Sequence, residues 1–155
     1  MGLRDRFSEQ MKEAMKAKET RRLSTVRMIM AAVKDRDIAA RTDESREGIS
    51  DDDILGLLGK MIKQREESAG TYDTGNRPEL AAGERAEIEI IREFMPRQMS
   101  DEETRKAVED VINELGAGSL KDMGKVMGGL KTRYSGQMDF GKAGAAVKVI
   151  LSAAN

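Results

Sequence analysis

The sequence predicts an all-α protein, and three observations carry that prediction. Helix formers (Ala, Leu, Met, Glu, Lys, Arg) recur throughout, against just 2 prolines. No run alternates β-branched with polar residues over more than a few positions, so strand signals are nearly absent. Aromatics are only 3% of the chain, and eleven methionines take their place as adaptable core filler.

The first helix is predicted over Leu3 to Ala17, where Leu3, Phe7, Met11 and Met15 repeat at i+4. Lys18-Glu19-Thr20 forms a joint, with Thr20 suited to cap a second helix from Arg21 to about Arg41. Leu23, Val26, Met30 and Val33 mark its inner face. Thr42 to Gly48 reads as a polar loop. Ser50-Asp51-Asp52-Asp53 has the S-x-x-D form of a capping box, opening a third helix with Ile54, Leu57, Leu58, Met61 and Ile62 inward. That helix continues toward Tyr72. Asp73-Thr74-Gly75-Asn76 is a turn signal, and Pro78 fits the first turn of a fourth helix. Ile88, Ile91 and Met95 lie on one side of it and Ile90 and Phe94 on another, so more than one neighbour should cover it. Pro96 stops it.

Ser100-Asp101-Glu102-Glu103 is a second capping box, before a helix with Thr104, Val108, Val111, Ile112 and Leu115 inside and an acidic outer face. Ser119-Leu120-Lys121-Asp122 has the form of a third cap. The helix after it carries Met123, Val126, Met127 and Leu130 on one stripe. Asp139 caps the last helix, with Phe140, Ala143, Val147, Ile150 and Leu151 inward. The prediction is an N-terminal four-helix domain with long helices, residues 1–96, followed by a small C-terminal three-helix bundle, residues 97–155.

Composition excludes much chemistry. There is no Cys and no His, which removes disulfides, thiol nucleophiles, Cys/His zinc sites and histidine general bases. The carboxylates sit in caps and on charged faces, so no catalytic residue, metal ligand or cofactor site is expected. Met1–Lys18 is charged throughout and no apolar run approaches a membrane span, which points to a cytoplasmic protein with no membrane partner. Gly124 to Thr132 resembles a P-loop but misses it, because Leu130 separates the second glycine from Lys131-Thr132, and no strand precedes it. Packing against another helix is the expected use of Gly124 and Gly128.

Charge is unevenly spread. The net charge is −1, yet Lys121 to Leu151 holds Lys121, Lys125, Lys131, Arg133, Lys142 and Lys148 against only Asp122 and Asp139. A phosphate backbone wants several cations close together, and glycine lets RNA lie near a helix. Neutralisation by Glu109, Asp110 and Glu114 would remove the patch. Residues 1–36 are also basic, with Lys16, Lys18, Arg21 and Arg22 crowded at the first joint; a solvated face is the ordinary fate of such charges.

Several segments together resemble the free-standing GatB/YqeY family. They are Met-Lys-Ala-Lys and Arg27-Met28, then Ala86-Glu87-Ile88-Glu89-Ile90-Ile91, then Phe94-Met95-Pro96-Arg97-Gln98-Met99-Ser100. The most specific is Lys121-Asp122-Met123-Gly124-Lys125-Val126-Met127-Gly128. The resemblance covers about the whole length; Phe94-Met95-Pro96 departs from the more usual Tyr-Leu-Pro. The C-terminal part is similar to the tail domain of the tRNA-dependent Asp/Glu amidotransferase B subunit, where the tail binds tRNA and the chemistry lies elsewhere. The resemblance implies a non-catalytic, tRNA-associated helical protein whose contact surface includes Lys121, Gly124, Lys125 and Gly128. It also admits an amidotransferase or another translation-related protein as a partner. The rival expectation is a protein–protein adaptor that docks its partner on Met-rich apolar helix faces, without nucleic acid.

Overall fold

The computed structural model describes residues 2–153; among them there are seven α-helices, one short 3-10 turn and no strand. The chain divides into two compact units, Met1–Met95 and Pro96–Asn155.

The first unit is two helical hairpins. Helix α1 (Leu3–Lys16) pairs with α2 (Thr20–Ala39), and α3 (Asp51–Thr74) with α4 (Pro78–Arg92). Helix α4 also packs on α2, so its two apolar sides are both used: Ile88, Ile91 and Phe94 are buried and Ile90 partly so. The core joins Leu3, Phe7, Val26, Ile29, Val33, Ile54, Leu57, Leu58, Met61, Ile91 and Phe94. Each side chain fully buried this way contributes about 1.5–3 kcal/mol. Phe7 and Phe94 meet edge to face with centroids 4.8 Å apart.

Three details of these helices differ from expectation. Met15 is 48% exposed and Ala14 is buried instead. A repeat at i+4 drifts about 40° per step around a 3.6-residue helix, so by Met15 the predicted stripe has left the core. Ile29 is fully buried, while Leu23 and Met30 are half-buried and only Met30 packs on the core. Thr20 is the first residue of α2, not its cap, and Glu19 before it makes no side-chain capping bond. The chain reverses one residue earlier, at Lys18, whose φ is +59°. Its N–H bonds to Met15 O and that of Glu19 to Ala14 O, the double closure of a Schellman stop. A left-handed φ costs a residue with a Cβ about 1–2 kcal/mol. The corresponding stops after α3 and α5 use Asn76 and Gly116, residues that suit it better.

The loop between α2 and α3 is pinned at its end. Asp37 accepts bonds from Arg4 Nη2 (2.6 Å) and Ile49 N (2.8 Å), and that arginine holds its carboxyl below the usual carboxylate range. An added Cβ on Gly48 would overlap the Asp37 carboxylate and the Arg4 guanidinium, so that pair would have to shift to admit any other residue. Ser50 then caps α3 in the predicted box with Asp53. Deeper in, Arg65 is buried and donates to Glu87 (3.0 Å) and Met61 O (3.1 Å), joining α3 to α4.

The second unit is a three-helix bundle: α5 (Asp101–Leu115), a 3-10 turn (Leu120–Asp122), α6 (Met123–Arg133) and α7 (Phe140–Ala153). Its core contains Val108, Val111, Ile112, Val126, Leu130, Met138, Ala143, Val147 and Leu151. Ser100 and Glu103 form the predicted capping box, and Asp139 accepts from Gly141 N (2.8 Å) and Lys142 N (3.2 Å) at the start of α7. Leu115 is 47% exposed, contrary to expectation, because the chain turns away at left-handed Gly116. Ser119 is not a cap either: the helix begins as a 3-10 turn, and Asp122 reaches back to accept from Gly118 N (3.0 Å).

Two substitutions test this account. Glu87→Ala leaves the buried Arg65 without its counter-charge. As the pair keeps some solvent contact, the expected loss is about 2–3 kcal/mol, at or below the low end for fully buried pairs, read by urea unfolding. Gly48→Ala should also destabilise, and Asp37→Asn should then cost much less in that background than in the parent.

Candidate nucleic-acid interface

Helix α6 is built one-sided. Val126 and Leu130 are fully buried, Met123 and Met127 are partly buried against the same core, and Met127 Cε lies 3.8 Å from where a Cβ on Gly144 of α7 would stand. At 3.6 residues per turn, Gly124, Lys125 and Gly128 then fall away from that core, and all three are exposed, as is Lys121 in the preceding turn. An added Cβ at Gly124 or Gly128 would meet nothing within 4 Å. Helix packing within the chain therefore does not explain these two glycines, contrary to the sequence-based expectation. The packing glycine is Gly129, where a Cβ would come 3.2 Å from Val111 Cγ1.

The eight candidate residues do not form one patch. Lys121, Gly124, Lys125 and Gly128 share the open strip. Lys131 lies on one flank of α6 and Arg133 on the other. Arg133 is committed to Glu114 of α5, which raises its pKa. Lys142 stands 3.8 Å from Asp101, both well exposed. Lys148 is on α7 one turn beyond Gly144. Among the described residues Lys121, Lys125, Lys131 and Lys148 have no ion-pair partner. Of the acids able to cancel the patch, Glu114 takes Arg133, Glu109 pairs with Arg105 on its own helix (3.4 Å), and Asp110 is in no ion pair among the described residues. The strip keeps its charge.

Several arginines of the first unit are committed to contacts within it. Arg6 donates to Glu93 O (3.0 Å) and lies over the Phe94 ring, and Arg22 grips Glu93 (2.7 Å) and Glu19 (3.2 Å). Arg6, Arg22, Glu93 and Phe94, with Glu9 and Gln10, line an open hollow of about 370 Å³. The methionines are spent too. Met61 and Met138 are buried and Met11, Met30, Met95, Met99, Met123 and Met127 pack on the two cores, leaving Met15 and Met28 exposed. No group of three or more acids among the described residues is placed to hold a metal. No helix among them is long and apolar enough to cross a membrane.

Residues 4–151 match the family model described as Yqey-like protein. Among curated relatives, the protein called "Altered inheritance of mitochondria protein 41, mitochondrial" recurs. The Clavispora lusitaniae form is 32% identical over 109 residues, covering 69% of this chain and 61% of the relative. The Vanderwaltozyma polyspora form is 26% identical over 123 residues, covering 76% and 64%. The Lachancea thermotolerans form is 30% identical over 111 residues, covering 70% and 57%. The chain thus spans about three fifths of the length of these relatives. Their names place them in mitochondria, so they lend nothing to the cytoplasmic expectation.

The capping box of α5 makes a pH prediction. Arg97 binds Glu103 through both oxygens (2.5 and 3.1 Å), and with the Ser100 N–H it lowers the Glu103 pKa to about 2. A depressed carboxyl stabilises the fold above its unfolded pKa and loses that contribution as pH falls through the folded value. The stability difference between the parent and Glu103→Gln should hold above pH 4.5 and close between there and about pH 2. Thermal melts across that range check it.

Proposed function

The chain belongs to the YqeY-like family, and from that premise we propose that it is a non-catalytic, tRNA-associated helical protein whose α6 strip lies on the RNA backbone. The observation that carries this is the pair Gly124 and Gly128. Each glycine costs a helix interior about 1 kcal/mol relative to alanine, and neither serves contacts within the chain. Gly56, Gly59 and Gly70 of α3 have the same empty surround, so what sets Gly124 and Gly128 apart is the pair of unpaired lysines beside them. Lys121 and Lys125, exposed and unpaired beside them, fit phosphate. The similarity of Lys121–Gly128 to the tRNA-binding tail of the amidotransferase B subunit supports RNA as the occupant. With no aromatic on the strip to stack a base, recognition is of backbone and shape. The adaptor reading loses its main support, because the methionines it needs outside are mostly inside.

Two variants test this by fluorescence anisotropy with total tRNA at two salt concentrations. Lys121→Glu with Lys125→Glu should abolish binding, and parent-like affinity would sink the proposal. Gly124→Ala with Gly128→Ala should raise stability by about 1 kcal/mol per site while weakening binding. Binding unchanged in that variant would show that nothing lies close to the helix. A protein partner recovered from nuclease-treated extract in place of tRNA would return the surface to the adaptor reading.

A further inference from the structure

The first unit carries a basic corner in which only the Arg21 side chain is tied to the rest of the fold. The Schellman stop of α1 brings Lys12 and Lys16, one turn apart on the outer face of α1, up to Lys18 and to Arg21 in the first turn of α2. All four are exposed, and among the described residues none has an ion-pair partner. Arg21 holds only a carbonyl, Gly83 O at 3.1 Å. The acids at hand are Glu9, three residues before Lys12 on α1, Glu13, which accepts from the Gln10 amide, Glu19, already paired with Arg22, and Glu84, next to Gly83 on α4. The corner is left positive.

Among the described residues, Lys18 is the one charged residue with a left-handed backbone. It occupies a left-handed position where the matching stops use Asn76 and Gly116, and strain of that kind is a pointer to use of the side chain. Helix polarity favours a cation near the end of α1, but Lys16 supplies it without strain. Arg21 sits at the start of α2, where polarity disfavours it.

We propose that Lys12, Lys16, Lys18 and Arg21 form a second phosphate-contact surface for the RNA partner, separate from the strip on α6. The identity of the partner rests on the reading above; the existence of the corner does not. Lysines at a tight turn present flexible point charges to successive phosphates and carry no base information.

The test uses the full chain, total tRNA and the slope of log affinity against log salt. Lys16→Glu with Lys18→Glu should bind at least tenfold more weakly, with a slope shallower by roughly one for each lysine. Lys18→Gly removes the charge and relieves the backbone, so it should melt at or above the parent temperature and still lose about one unit of slope. Parent-like slopes in both variants overturn the proposal, and if the double reversal does not fold, Lys18→Gly decides alone. Lys121→Glu with Lys125→Glu, run beside them, separates the readings: loss confined to that variant leaves the strip and removes the corner, and loss confined to the Lys16 and Lys18 variants does the reverse. Flotation with phosphatidylserine vesicles in place of tRNA binding also overturns it, by giving the corner a lipid partner.

Discussion

Arg65 sits where the first unit runs short of apolar side chains. Below it, α3 and α4 meet through Ile54, Leu57, Leu58, Met61 and Ile91; above it the buried contacts shrink to Ala69 and Ala81, with Ile88 between. Alanine brings helices close but buries little area, so the long hairpin depends on a guanidinium whose stem fills space and whose head satisfies both Glu87 and Met61 O. Taking those charges out of water is costly, and the pairing mainly recovers that cost. What it adds is register: the buried pair fixes which turn of α3 faces which turn of α4, and the exposed pairs Arg85–Asp73 and Arg92–Glu66 agree with it.

Many of the arginines are held in fixed contacts, as most of the lysines are not. Arg4, Arg6, Arg22, Arg65, Arg97 and Arg133 each reach a carboxylate or a backbone carbonyl on a neighbouring segment. The planar, weakly hydrated fork suits such fixed partners, whereas the strongly hydrated ammonium of lysine stays in water. Counting both as +1 overstates the surface charge of the C-terminal segment, where Arg133 is neutralised in place. It also hides which cations remain free to meet something else.

Helix α6 pays in stability for a surface. Its two outward glycines loosen an 11-residue helix that has only Val126 and Leu130 fully buried to hold it. A helix so short is marginal by itself, so the bundle supports it through α5 and α7. Lys18 at the corner of the first unit also carries a local cost, offset in part by the two backbone bonds of its Schellman stop.

The amino-acid sequence determined the helical class, the Ser50 and Ser100 boxes, the Pro78 start and the central stripe of nearly every helix, because each depends on residues within a turn or two of one another. Where stripes drift or a helix ends, as at Met15 and Leu115, local periodicity does not say which neighbour is present, and the tertiary structure decided burial. The motif Lys121–Gly128 was readable as a candidate surface, but not the freedom of its lysines or the emptiness around its glycines. Those depend on where α5 puts Glu114 and where α7 puts Gly144, residues distant in the chain that only packing brings beside α6.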